Sequence, residues 1–269
     1  MHTLFKSLFH LAGFIIAVSA SANDADSVLA GLMAGIKKES YYAEIQMTTV
    51  RPKFTREIYA NVWNVDNDFS IIAITAPFRD KGMTFMMTGS EIWNYVPGNN
   101  QVSKIHSSMM TQSWLGSDFI NYDLIGNITE LRKNYTSTIA GSGQIEGKDC
   151  YIVKLTPAPD SLKNQGTIKI WITKDKYQHL KTENYDREGK MTRMISLGEI
   201  KTVYGREIPT RIEIKPDKQG YGTIIKIRDI SFDTDIHNRI YTDQTLIRFI
   251  DLLPENLYSR YITTQIIDK

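Results

Sequence analysis

Residues 113–124, SWLGSDFINYDL, set Ser117 directly beside Asp118, with Gly116 before them and His106 not far upstream. Those residue types could serve a hydrolase. A serine nucleophile needs a base within hydrogen-bond reach and a third group that orients the base. The nucleophile elbow of one large hydrolase class also needs G-x-S-x-G on a strand-to-helix turn. WLGSDF has a glycine only before the serine, and adjacent Ser and Asp side chains point in different directions. Both are favoured turn and cap residues, because their oxygens satisfy free backbone amides. Ser117 and Asp118 are therefore expected to shape a turn rather than attack a substrate.

The remaining chemistry-bearing residues do not converge either. Outside the leader the histidines are His106, His179 and His237, with no paired spacing for a metal. Asp118, Asn121 and Asp123 are oxygen donors in a row, yet they miss the spacing and glycine of a calcium loop. There is no phosphate-binding glycine loop, and Cys150 in DCYIVKL reads as a strand residue. The sequons at Asn127 and Asn134 have meaning only in a eukaryotic secretory pathway. The reading is of a protein that is not an enzyme and needs neither cofactor nor metal.

The elements that position these residues begin after a leader. Residues 1–22 have a basic start at Lys6, an apolar run from Leu11 to Val18, and Ala20 and Ala22 at A-x-A spacing. That is a secretory signal peptide, too short in its apolar run to span a bilayer. No Cys stands at the cleavage site, so no lipid anchor is expected, and one thiol makes no internal disulfide. The mature part, 23–269, is expected to be one domain with residues 251–269 as a tail. Its net charge drops from +2 to about +1 with the loss of Lys6, which excludes the basic surplus that nucleic-acid binding needs.

Leu29, Leu32, Met33 and Ile36 form an apolar stripe, which predicts an amphipathic helix over about 25–38. From Tyr41 the period becomes two. REIYANVWNV puts Ile58, Ala60 and Val62 on one face; TIKIWIT does so for Ile168, Ile170 and Ile172, and EIPTRIEIK for Ile208, Ile212 and Ile214. These are half-buried antiparallel strands, with turns at PGNN, EGKD, DREG and DKQG. About eleven or twelve strands are expected, with one lapse of the pattern over about 107–133. Thr242 or Asp243 could cap a short final helix.

A long meander with one apolar face must pack on a second sheet or curl on itself, and a single helix favours a curled half-barrel. Its interior could be a packed core or a ligand cavity. Five of the ten Met residues lie between Met83 and Met110, and flexible Met side chains suit surfaces that accept variable apolar ligands, though they also fill core gaps. The lining candidates are Met83, Phe85, Met87, Trp93 and Tyr95, with Ile168, Ile170 and Ile172. A one-residue error of register would swap the faces.

Several stretches together resemble the LolA-like outer membrane lipoprotein-sorting proteins, in particular their larger branch. They are APFRDKGMTFM, EIWNYVPGNNQVSKI, SWLGSDFINYDL, IKIWITKDKYQHLKTENYDREGKM, GTIIKIRDISFD and IYTDQTL, in order over about 58–246. The resemblance implies a periplasmic, mainly β protein: an unclosed antiparallel barrel of about 11 strands, with an N-terminal helix and short helical lid segments over an apolar cavity for acyl chains. It also implies a basic residue on an early strand that holds the lid, for which Arg56 and Arg79 are the candidates.

With it comes an expected carrier or chaperone for a lipid or lipoprotein, a monomer working with an inner-membrane transporter and an outer-membrane acceptor. The alternative is a sensory or binding module of the same fold. Trp114, Gly116, Ser117, Asp118 and Phe119 then read as a lid or rim motif, Ser117 and Asp118 capping a turn that Trp114 and Phe119 anchor to the interior.

Overall fold

The structure is a computed structural model that describes residues 22–35, 40–65, 69–125, 134–158, 166–232 and 244–253. The leader apart from Ala22, together with Ile36, Asn127, His237, the expected cap at Thr242 or Asp243 and the tail beyond Leu253, lies outside the described residues.

Among the described residues, helix α1 (Ala22–Gly35) is followed by thirteen strands. These are β1 (Tyr41–Arg51), β2 (Phe54–Val65), β3 (Phe69–Ala76), β4 (Thr84–Thr88), β5 (Glu91–Val96), β6 (Gln101–Lys104), β7 (Tyr135–Ile145), β8 (Lys148–Pro157), β9 (Ile168–Thr173), β10 (His179–Tyr185), β11 (Met191–Val203), β12 (Arg206–Pro216) and β13 (Gly222–Phe232). The count exceeds the expected eleven or twelve because β4, β5 and β6 are only 5, 6 and 4 residues long. Such pieces are too short to show a period.

All thirteen form one antiparallel sheet in the order β6-β5-β4-β3-β2-β1-β13-β12-β11-β10-β9-β8-β7. Each strand pairs with its sequence neighbour, and the β1–β13 pairing joins the two meanders. The sheet does not close. Strands β6 and β7 are consecutive in the chain yet stand at opposite edges, so the connection between them must cross a face. The described part of that connection, residues 105–125, lies over the sheet.

Side chains of directly paired residues share a face. The pairs Ile212↔Ile225, Ile225↔Met47 and Met47↔Ile58 therefore carry one apolar row across β12, β13, β1 and β2. Ile72↔Phe85 and Met87↔Ile92 extend this face to β5. Val153↔Ile170, Ile170↔Thr182, Thr182↔Ile195 and Ile195↔Ile214 extend it the other way to β8. We call it the inner face.

Helix α1 covers the β7–β9 end of the inner face, where Ala25, Val28, Leu29 and Leu32 pack on Val153, Leu155, Ile170 and Ile172. The buried stripe sits one turn earlier than the spacing of Leu29, Leu32, Met33 and Ile36 suggests: Ala25 and Val28 are buried, and Met33 is half-buried. Gly31 lets the helix approach the β9–β10 turn, since a Cβ there would come 2.7 Å from the ring of Tyr177.

A further helix, α3 (Gln244–Asp251), covers the opposite face. Phe249, Ile250 and Leu253 pack among Tyr42, Trp63, Ile71, Met86 and Tyr95. Strand β4 is thus covered on both sides, which is why all five of its residues are buried without alternation.

Candidate functional site

The segment that crosses the inner face holds two short 3-10 turns, Ser107–Met109 and Trp114–Gly116, and helix α2 (Asn121–Ile125). Its centre is a tight reversal. Leu115 and Gly116 have positive φ of +52° and +73°, a region glycine enters freely and leucine at a cost of about 1–2 kcal/mol. The reversal brings the Trp114 N–H 2.7 Å from the Phe119 carbonyl and sends both side chains to the same side.

The two rings go into the inner face. Trp114 is 2% exposed and meets Phe85 edge-on, centroids 5.6 Å apart. Phe119 packs in the same cluster with Met47, Ile58, Ile74, Met87, Ile92, Ile214 and Ile225. Met110, Leu115, Leu124 and Ile125 add to it from the crossing segment. This segment, termed the lid for its position, covers the inner face with its own side chains.

Three arginines hold the lid down. Arg51, at the end of β1, donates to Asp118 Oδ2 at 3.0 Å and to the Gly116 carbonyl at 2.8 Å. Thr223 on β13 adds two bonds: its hydroxyl donates to Asp118 Oδ2 at 2.7 Å and accepts the Asp118 N–H at 2.9 Å. Arg56 on β2 donates to the Leu115 carbonyl at 3.0 Å and to Asp80 at 2.6 Å. Arg193 on β11 grips Asp123 through two parallel bonds of 2.7 and 2.8 Å, the geometry in which guanidinium and carboxylate pair best.

Of the two arginines named from sequence, Arg56 reaches the lid. Arg79 stands in solvent, its side chain 85% exposed and 3.8 Å from Asp80. Arg51 and Arg193 escaped sequence reasoning. Their partners lie some seventy residues away in the chain, and only the sheet order brings them together.

Ser117 is buried and its hydroxyl is committed. It donates to the Trp114 carbonyl at 2.7 Å and accepts the Phe119 N–H at 3.1 Å. His106 is exposed and caps the first 3-10 turn by accepting the Ser108 N–H at 3.3 Å, so it makes no pair with Ser117. Cys150 is fully buried, and burial pushes its thiol pKa up, which disfavours the reactive thiolate. Among the described residues no three His, Cys, Asp or Glu side chains group to hold a metal.

The eight lining candidates divide among three places. Phe85 and Met87 lie on the inner face beneath the lid, with Met83 half-buried beside them. Ile168, Ile170 and Ile172 lie on the same face but under α1. Trp93 and Tyr95 are on the opposite face, because Met86 pairs with Trp93 and Thr84 with Tyr95. Tyr95 meets Phe249 of α3 at 6.4 Å.

His179 at the start of β10 is half-buried as a residue, but its imidazole is enclosed, 2.7 Å from Thr182 Oγ1. Desolvation lowers its pKa from 6.5 to about 4. Between these values the unfolded chain binds a proton that the folded chain does not, so stability is full above pH 6.5 and falls as pH drops towards 4. The loss is about 2–3 kcal/mol over that window. Urea unfolding at pH 7.5 and 4.5 checks this: His179→Gln should flatten the difference, and an unchanged slope in the variant would remove His179 as its cause.

The opposite face of β10–β12 has a cleft of about 460 Å³, lined by Ile145, Leu180 and Met194 with Lys181, Arg211 and Glu213. Within it Lys181 pairs with Glu183 at 2.6 Å and Arg211 with Glu213 at 3.5 Å.

The sheet order and the lid define a class: an unclosed antiparallel barrel bridged by a connection that packs into its own interior. Several solved structures are similar to this chain over most of their length. A DUF1329 family protein from Desulfovibrio piger superposes with a TM-score of 0.72 at 19% identity, covering 81% of this chain and 95% of its own. A putative outer membrane lipoprotein-sorting protein domain from Vibrio parahaemolyticus gives 0.70 at 17%, covering 90% and 99%. A LolA superfamily protein from Nitrosomonas europaea gives 0.62 at 19%, covering 87% and 96%. A family model described only as an uncharacterized protein matches residues 66–248. No curated protein matches the chain. The chain belongs to the family of that uncharacterized-protein model, which covers residues 66–248, and its fold is similar to that of the LolA-like structures.

Proposed function

We propose that the protein is an exported, non-enzymatic carrier that takes up the acyl chains of a lipid or lipoprotein on its inner face, beneath the lid, and hands them on across the periplasm. The observation that supports this most is the lid itself. A segment held by two ion pairs and an arginine–carbonyl bond, besides its own packing, closes a broad apolar face. The likeness to a lipoprotein-sorting domain points the same way.

The energies suit a carrier. An exposed sixteen-carbon chain costs on the order of 12 kcal/mol at about 0.8 per methylene, so it does not cross water unaided. Entry of a chain displaces Trp114 and Phe119, which together lose about 3–6 kcal/mol of burial. The difference is a moderate affinity. Cargo is held, yet release to an acceptor remains feasible because the lid refills the face as the chain leaves.

Native mass spectrometry of protein isolated from the periplasm should show co-purified lipid, and the emptied protein should take up a fluorescent fatty acid. Protein that is empty as isolated and takes up no probe would count decisively against the carrier. A stable protein partner without lipid transfer between vesicles would instead favour the sensory module.

A further inference from the structure

The two edges of the open sheet differ. Edge strand β6 has four residues and ends in Lys104, and short length and a lysine both discourage strand addition. Edge strand β7, YTSTIAGSGQI, has eleven residues with no charge and no proline. Among the described residues β7 has a strand partner only on its β8 side. Its one irregularity is a bulge between Ile139 and Gly141, which leaves five regular residues on either side.

The direction of the backbone groups beyond the bulge follows from the turn. Glu146 and Gly147 have φ of +50° and +76°, a two-residue turn of the kind that makes its flanking residues, Ile145 and Lys148, a hydrogen-bonded pair. Antiparallel pairs alternate, so the N–H and C=O of Gln144 and Ser142 turn away from β8, towards open space. Towards the other end, Tyr135 and Ile139 pack in the cluster beneath α1, and Ser137 Oγ donates to Asp26 of α1 at 2.7 Å. The open edge therefore borders the α1-covered strip of the inner face.

We propose that β7 is a docking edge for polypeptide: the extended, uncharged segment that adjoins the acylated residue of a lipoprotein adds to it as a fourteenth strand while the acyl chains occupy the inner face. The inference rests on the carrier reading above and sharpens its cargo to lipoprotein rather than free lipid. Main-chain bonds would supply the recognition, which suits cargo of varied sequence. Beside the apolar strip under α1 a charged side chain would lose hydration without gaining an ion pair from this uncharged edge, so neutral strands are favoured.

The test compares three probes on the full mature protein. They are a diacylated cysteine followed by ten uncharged residues, the same lipopeptide N-methylated at alternate backbone amides, and a diacyl glycerolipid with the same chains. The lipopeptide should bind at least tenfold tighter than the other two. Ser142→Pro, which removes one outward N–H and leaves the β8 pairing in place, should bring the lipopeptide down to the level of the glycerolipid. Equal binding of all three probes overturns the docking edge and leaves the carrier standing. Equal binding of the methylated and unmethylated lipopeptides, both tighter than the glycerolipid, overturns strand addition without appeal to any variant. Absence of binding by all three overturns both readings together.

Discussion

Asp118→Ala should destabilise the protein by about 2–4 kcal/mol and expose the lid to protease. Asp118 and Arg51 have side chains only 10% and 11% exposed. Breaking such a pair from one side leaves a shielded charge without its counterion, which costs 3–5 kcal/mol when burial is complete. Arg51 retains some compensation, since it donates to the Val50 and Gly116 carbonyls and lies 4.9 Å over the ring of Tyr221. The Thr223 hydroxyl loses its carboxylate acceptor as well. The effect therefore falls below the fully buried limit.

Urea unfolding gives the stability, and limited proteolysis followed by mass spectrometry gives the site, with new cuts expected within 107–125. Arg79→Ala is the matched control: its exposed, loosely placed guanidinium should change stability by less than about 0.5 kcal/mol. A variant at Asp118 with native stability and an unchanged cleavage pattern would show that the pair does not hold the lid.

The strands were legible in the sequence because one wet and one apolar face leave a period of two, as in Ile168, Ile170 and Ile172. The short strands around Met83 and Tyr95 were harder. Both faces of β4 are covered, by the lid and by α3, so burial carries no alternation there and the pattern cannot say which residues share a side. Met86 pairs with Trp93, and this register alone sends Trp93 and Tyr95 to the face opposite Phe85 and Met87. The crossing segment and its turn could be located, because the pattern lapses between β6 and β7 and the turn chemistry of Gly116, Ser117 and Asp118 is local. Its clasps could not. Arg51 with Asp118 and Arg193 with Asp123 are meetings of strands that sequence proximity does not bring together.

Trp114→Ala should cost about 3–5 kcal/mol, the range for deleting a buried indole and leaving a hole that its neighbours fill only in part. The edge-on contact with Phe85 is lost with it. The variant also separates two accounts of the inner face. If the ring is only core, the loss is fixed, and an added apolar molecule does nothing for it. If the ring stands in for an acyl chain, the vacated space lies where cargo goes, and a fatty acid should fill it. Ligand that binds the folded state alone stabilises by an amount that grows with its concentration, about 2.7 kcal/mol at a hundredfold excess over Kd. Thermal unfolding of the wild-type and Trp114→Ala proteins across a fatty-acid titration measures this, with the larger upward shift expected in the variant because no indole has to be displaced. Equal shifts would mean that the ligand enters elsewhere, and no shift in either protein would argue that the face beneath the lid is core.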